Sequence, residues 1–297
     1  MTEGTVAPGA VTLLPGEPLP FPTRPDGGRA VRKDEIEIEE RGLYIESWLP
    51  ERRSRRRPLY LIHGELGGSW LWERYLGYFA SRGWEAHALN LRAHFWSSTA
   101  DVATLTFDSY LDDVRAGLER LGSNPVLVGH GLGALLAMKA AESAPVGGLV
   151  LLAPPLPREL RPPPEAHALR DVPTVFRRDL VGWAGLPEHL RRQNPDLSIA
   201  DVFRVQHMMG QESGAARRAV LSGVSVDRDP LLELPRLVVG AGLDRLYPEA
   251  DTERLAAWLE APYRAYEAHS HYGLVVGEES YRHVADDIRA FLETHRL

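Results

Sequence analysis

Cysteine is absent from this 297-residue chain, which excludes disulfides, thiolate metal sites and a cysteine nucleophile. Lysine is scarce: Lys33 and Lys139 are the only two, so nearly all basic residues are arginine. No apolar run approaches the ~20 residues of a membrane-spanning helix. The first residues also lack the basic start and apolar stretch of a signal peptide. We therefore expect a soluble, cytoplasmic protein.

The chain is acidic, with a net charge of -7 and an isoelectric point near 5.9. This balance gives no electrostatic footprint for nucleic acid or for a membrane surface, so we expect neither as a partner. With 44% apolar residues, the chain can bury one large core and carry a small inserted subdomain. The expected partner is a small-molecule substrate or ligand, and the oligomeric state is left open.

The N-terminal part divides into three segments. Residues 1–33 are rich in proline and glycine, a composition that predicts a flexible arm. Alternating apolar residues at 35–39 and 43–48 predict two half-exposed strands in an antiparallel hairpin. The arginine-rich run from Arg52 to Arg57 follows as a turn, which either contacts phosphate or forms a solvated loop.

From Leu59 onward, short apolar runs alternate with helical segments, a pattern typical of buried parallel strands with crossover helices. Strands are predicted at 59–63, 85–90, 126–128, 148–152, 236–239 and 263–267. Helices are predicted at 72–81, 108–121, 132–142, 249–259 and 280–294. The sequence thus predicts an α/β fold with a mostly parallel central sheet flanked by helices. Its core would comprise residues 34–155 and 226–297, with a helical cap inserted at 156–225.

A glycine-rich turn follows the strand predicted at 126–128 and reads GHGLGA at residues 129–134. Its glycines and alanine also satisfy the looser dinucleotide-binding pattern. That site needs an acidic residue about 20 positions further on, whereas the next strand ends in Ala-Pro-Pro at 153–155. We therefore expect no nucleotide, and nothing else in the chain calls for a cofactor or a metal.

Four further segments stand at strand ends in a fixed order. They read HGELGG at 63–68, LRAH at 91–94, VGAGLDR at 239–245 and HSHYGL at 269–274. Together with GHGLGA, they resemble the α/β-hydrolase fold superfamily over roughly residues 35–297. The resemblance implies that GHGLGA is the nucleophile elbow, and that Gly131 stands where the family carries its serine.

The resemblance also assigns the remaining roles. It implies an oxyanion loop formed by Gly64, Glu65 and Leu132, with Asp244 and His271 as the acid and the histidine of a catalytic triad. We prefer His271 to His269 because a glycine and an apolar run follow it at the family spacing. The candidate substrate-binding residues are His130, Trp183, Phe203 and Met208.

The missing serine limits which chemistry is plausible, since its removal from a triad lowers turnover about a millionfold. The serines in loops near the expected site fit turn or helix caps better than a substitute nucleophile; they are Ser69, Ser97, Ser98 and Ser270. Gly131 either relaxes a strained elbow or makes room for water or a small substrate under His271. The sequence also leaves the orientation of the Glu65 side chain open. If the side chain points inward, it would either oppose a developing oxyanion or act as a catalytic acid or base. If it points outward, it would be solvated.

The sequence leaves two kinds of function open. The first is an enzyme that acts on a small, apolar carbonyl-type substrate through His271 and Asp244 without a serine. Lyases, cyclases and cofactor-free oxygenases of the superfamily are the precedents that the resemblance implies. The second is an inactive pseudoenzyme or ligand-binding protein. A third possibility is an ordinary serine hydrolase that was inactivated by engineering at Gly131.

Overall fold

The computed structural model describes residues 30–52, 54–164 and 166–297. Most of the predicted N-terminal arm, residues 1–29, lies outside these ranges. The strands are β1 (Val31–Ile38), β2 (Leu43–Pro50), β3 (Leu59–Ile62), β4 (Ala86–Asn90), β5 (Val126–His130), β6 (Gly148–Leu152), β7 (Val175–Phe176), β8 (Glu212–Ser213), β9 (Arg236–Ala241) and β10 (Tyr263–Tyr266). The helices are α1 (Glu73–Ala80), α2 (Phe107–Leu121), α3 (Leu132–Ala141), α4 (Ala166–Arg170), α5 (Pro187–Gln193), α6 (Ile199–Met208), α7 (Gly214–Ser222), α8 (Asp229–Leu232), α9 (Glu249–Trp258), α10 (Gly273–Val276) and α11 (Ser280–Thr294).

Eight of these strands form one sheet in the order β1-β2-β4-β3-β5-β6-β9-β10. The pairs β1–β2 and β2–β4 are antiparallel, and every other pair is parallel. The inner strands β3, β5 and β6 are buried at every position, which explains why their sequences are continuous apolar runs. The fold class predicted from the sequence is confirmed, including the hairpin at one sheet edge.

Helices cover both faces of the sheet. On one face, α1 and α11 bury Phe79 and Ile288, and on the other, α2 and α3 bury Tyr110 and Leu135. A capping box at Thr106 begins α2 and satisfies backbone groups that the first turn leaves free. Almost all of α3 is buried, so this helix is fixed directly behind the carboxyl end of β5.

The described residues between β6 and β9 form five α-helices, α4 to α8, and a small antiparallel ribbon of β7 and β8. Helix α6 is amphipathic and buries Val202 and Val205. The sequence did not predict the ribbon. The boundaries assigned to the core and the cap stay a prediction.

Most element ends agree with the sequence. Strand β6 and helix α11 have the predicted bounds, whereas β5 continues two residues beyond Val128. Strand β1 begins at Val31, so residues 31–33 of the predicted arm belong to the sheet. Within the described ranges, no helix combines the length and apolar character that crossing a membrane requires.

Candidate active site

The candidate site lies at the carboxyl ends of the parallel strands. In a parallel sheet these ends share one edge, so the loops after β3, β5 and β9 converge there. Residue Gly131 forms the turn from β5 into α3 with φ +53° and ψ -125°. This backbone conformation is uncommon for residues with a side chain and free of steric strain for glycine.

The structure brings His271 and Asp244 together. The Nδ1–H of His271 donates to Asp244 Oδ2 at 2.7 Å. The other carboxylate oxygen, Oδ1, accepts the backbone N–H groups of Leu246 and Tyr247 at 2.7 and 2.9 Å. These bonds fix the carboxylate, and the carboxylate fixes the imidazole, so Nε2 is the ring nitrogen left to act as a base.

The free nitrogen of His271 points towards the turn at Gly131. A Cβ built on Gly131 would lie 3.3 Å from His271 Nε2. His269, the alternative considered from the sequence, instead packs its ring 4.9 Å from that of Tyr266. The described geometry therefore joins His271, and not His269, to the acid and the elbow.

Glu65 points inward, so the solvated orientation considered from the sequence does not occur. The residue is only 2% exposed. The backbone N–H of Leu132 donates to Glu65 Oε2 at 3.1 Å, while Arg217 Nη1 donates to Oε1 at 3.2 Å. The hydroxyl of Tyr247 also donates to Oε1. Three donors therefore share the two carboxylate oxygens of Glu65.

This network joins the chain between β6 and β9 to the sheet edge, because Arg217 lies on α7. Arg217 Nη1 also donates to the hydroxyl oxygen of Tyr247 at 3.0 Å. Burial, together with the neighbouring charge of Glu65, raises the pKa of Tyr247 well above its ordinary value. Tyr247 therefore stays a neutral donor, and the three residues form one closed polar cluster, named here the Glu65 cluster.

Two buried histidines lie beneath the site. The Nδ1–H of His63 donates to the carbonyl of Gly64 at 2.8 Å, and its Nε2 accepts the N–H of Leu91 at 3.2 Å. Burial, assisted by the charge of His94, lowers the pKa of His63 to about 3. The neutral ring thus holds the loop after β3 against the loop after β4.

His130 is fully buried and lies behind His271, with ring centres 4.1 Å apart. Its Nε2 donates to the backbone carbonyl of His271 at 3.0 Å. Burial and the proximity of His271 lower the pKa of His130 well below its ordinary value. His130 therefore packs against His271 on the side of the protein interior. From the sequence it was predicted to be a substrate-binding residue.

A cavity of about 50 Å³ reaches His271 from the surface. Trp183 and Tyr272 line it, with their rings perpendicular and 5.2 Å apart. Phe203 and Met208 do not line it, contrary to the expectation from sequence: Phe203 is 47% exposed, and Met208 packs against the core. Ligand pockets usually measure about 300–1,000 Å³, so this cavity accommodates a few water molecules.

Glu212 is a structural residue of the site that sequence reasoning missed. Its fully buried carboxylate accepts Leu66 N–H at 3.2 Å, Tyr110 Oη–H at 2.6 Å and His94 Nε2–H at 3.3 Å. Burial opposes the charge on both partners, but their mutual attraction prevails, so the pKa of His94 is raised and that of Glu212 is lowered. Glu212 belongs to a two-residue strand with no motif, so no sequence signal marked it.

Two of the four loop serines form hydrogen bonds with backbone groups. Ser97 Oγ donates to Asn90 O at 2.6 Å and accepts Tyr44 N–H, and Ser270 Oγ accepts Gly273 N–H. Ser98 is exposed, and Ser69 is buried beside α1. Among the described residues, no three metal-binding side chains gather in one place.

The eight-stranded sheet, the turn at Gly131 and the order of the loops define an α/β-hydrolase-type protein. The model of the Alpha/beta hydrolase family matches residues 59–285, and the chain belongs to this family. Protein ABHD8 of Homo sapiens is 27% identical over 214 residues, which cover 67% of this chain and 47% of that protein. The Bos taurus protein of the same name is equally similar, with 48% of its length covered. The chain spans about half the length of the curated relatives it matches.

Solved structures share the fold at low sequence identity. A thermophilic esterase from Thermogutta terrifontis aligns with a TM-score of 0.65 and 17% identity, over 90% of this chain and 100% of that one. A bromoperoxidase from Bacillus anthracis aligns with a TM-score of 0.64 and 16% identity, over 88% of this chain and 100% of that one. At such identities the likeness concerns the fold alone.

Proposed function

We propose that this protein is a catalytically silent member of its family, which acts by binding and not by acyl transfer. The observation that carries the proposal is the hydrogen bond from Leu132 N–H to Glu65 Oε2 at 3.1 Å. In this fold, the N–H after the nucleophile is a donor of the oxyanion hole. Here an internal carboxylate takes that donor.

Three features of the site disfavour acyl transfer. Gly131 offers no hydroxyl to attack a carbonyl, and Glu65 places a carboxylate where a developing oxyanion would need positive potential. Loss of one oxyanion donor alone costs about 10²–10³ in turnover. The cavity of about 50 Å³ beside His271 is also too small for a typical substrate.

A second candidate function rests on a separate observation. The pair His271–Asp244 keeps the 2.7 Å hydrogen bond and leaves Nε2 as a base facing position 131. A non-serine enzyme could use that base on water or on an acidic C–H of a small carbonyl compound. Such an enzyme would need the Glu65 cluster to open so that a substrate could enter.

A panel of chromogenic esters and lactones distinguishes the two candidates. We would assay the natural protein, Gly131→Ser, Glu65→Ala and the double variant Gly131→Ser/Glu65→Ala. A serine alone should stay inactive, because its Cβ would lie 2.9 Å from Glu65 Oε2 and the oxyanion donor would still be occupied. The double variant should turn over esters, and adding His271→Ala should abolish that activity.

The matched control is Gly131→Ser/Glu65→Gln, in which a side chain of the same length continues to fill the oxyanion hole. It should remain inactive. If Gly131→Ser/Glu65→Ala folds poorly, we would add Arg217→Met, because this substitution removes the guanidinium that has lost its acidic partner. If the natural protein turns over a substrate and His271→Ala abolishes this activity, the proposal of a catalytically silent protein would be contradicted. That result would favour the second candidate, a non-serine enzyme. A folded but inactive double variant would contradict the role given to Glu65.

A further inference from the structure

A second concave site lies at the opposite edge of the sheet from Gly131. Its volume is about 400 Å³, and its lining includes Arg52, Arg56, Arg82, Arg289 and Glu293. The first two precede β3, and Arg82 precedes β4, so the site stands at the amino ends of these strands. We propose that this groove, named here the arginine groove, binds the phosphate group of a small anionic ligand.

The first argument is charge. The lining brings four guanidinium groups and one carboxylate together in a protein whose net charge is -7. Within the described ranges, Arg52 and Arg82 have no acidic partner, and Arg56 lies 3.8 Å from Glu293. Gathering cations in a concave surface creates a positive potential that attracts an anion.

The second argument is that two of the guanidinium groups are already positioned. Arg56 stacks 3.6 Å from the centre of the Trp84 ring, and Arg82 stacks 3.7 Å from that of Tyr78. Trp84 is fully buried, so it offers a rigid platform. A guanidinium that stacks by its face keeps the N–H groups at its edge for contacts with phosphate. Arg82 already donates from Nη1 to the carbonyl of Tyr78 at 3.1 Å, so its other N–H groups are the ones left for a ligand.

The local backbone also supports this arrangement. Ser54 Oγ donates to the carbonyl of Gly83 at 2.5 Å, which joins the arginine-rich turn to the segment before β4. On α11, Arg289 donates to Glu293 at 3.3 Å, so that carboxylate is shared between two arginines. The groove is therefore built from three parts of the chain that are held together by side-chain contacts.

The lining also indicates the chemical class of the ligand. A volume of about 400 Å³ falls in the usual range for small-molecule sites. The described residues that line this groove include no apolar side chain, so the ligand is expected to be polar throughout its bound part. A phosphate monoester or diphosphate meets these conditions, whether it belongs to a free metabolite or to a lipid headgroup.

Calorimetric titration of the full chain with pyrophosphate tests the proposal. We expect saturable one-to-one binding that weakens as salt is added. Arg56→Gln/Arg82→Gln should weaken it at least about tenfold, since charge-assisted contacts are lost. Arg52→Glu should weaken it as well, and because Arg52 is exposed and without an acidic partner in the described ranges, that variant should fold normally.

The control is Arg115→Gln/Arg120→Gln, which removes the same charge from exposed positions on α2, a helix on the other face of the sheet. It should bind pyrophosphate like the natural protein. A parallel sedimentation assay uses vesicles of phosphatidylcholine with and without phosphatidic acid. Retention on phosphatidic acid alone, lost in Arg52→Glu, would assign the phosphate to a lipid headgroup. Absence of binding in both assays, or equal weakening by the control, would overturn the proposal.

Discussion

The Glu65 cluster gives a prediction about stability that does not depend on any catalytic role. The carboxylate of Glu65 and the guanidinium of Arg217 lie 3.2 Å apart, and their side chains are 1% and 13% exposed. Glu65→Leu leaves a buried cation without its partner, and Arg217→Met leaves a buried anion with fewer donors. Each variant alone should lower the free energy of unfolding substantially.

The magnitude follows from burial. Breaking one partner of a buried ion pair costs about 3–5 kcal/mol, whereas replacing both partners by apolar residues is often nearly neutral. The double variant Glu65→Leu/Arg217→Met should therefore be more stable than the sum of the two single effects by at least about 3 kcal/mol. The hydroxyl of Tyr247 loses an acceptor in the double variant, which should cost about 1 kcal/mol.

Urea denaturation followed by circular dichroism measures this cycle. A matched cycle on Asp112 and Arg115, an exposed pair on α2 separated by 3.7 Å, should give a coupling below about 1 kcal/mol. If the effects at Glu65 and Arg217 were additive within error, the argument that the pair is a buried, mutually dependent unit would be wrong.

Two further predictions concern residues around the site. Because the pKa of His63 falls to about 3 in the folded chain, the contribution of this residue to stability should be complete above pH ~6.5 and decline as the pH falls towards ~3, by roughly 5 kcal/mol at most. Urea denaturation across this range should show the decline, and His63→Gln should flatten it; an unchanged profile would refute the assignment. Gly129→Ala should destabilise the fold by about 3 kcal/mol or more, since the new Cβ would lie 2.5 Å from Ala134 Cα and closer still to the carbonyl of Gly133. Thermal unfolding should show this loss, whereas Gly210→Ala, with open space around its Cβ, should be nearly neutral.

The sequence predicts the fold well because the fold depends on local patterns. The apolar run of β6 and the amphipathic period of α11 each determine both their type and their bounds. The order of the motifs at strand ends also predicts that Asp244 and His271 lie at the same edge of the sheet, since the carboxyl ends of parallel strands share one edge. These inferences need no knowledge of side-chain orientation.

The side-chain orientations could not be predicted in the same way. Glu65 turns inward because of Arg217, which lies 152 positions away along the chain. Phe203 belongs to an amphipathic helix, and periodicity alone does not say which face meets a cavity. Such features depend on contacts between distant segments, which a single sequence does not reveal.

The contact between position 131 and Glu65 constrains how this sequence can change over time. A serine gained at 131 would meet the Glu65 carboxylate at 2.9 Å, and loss of Glu65 alone would strand Arg217 in the interior. Under the proposed function, neither substitution alone gives both a hydroxyl at position 131 and a free backbone N–H at Leu132. Serine chemistry at this site would therefore require two coupled substitutions, and each single variant would be an inactive intermediate.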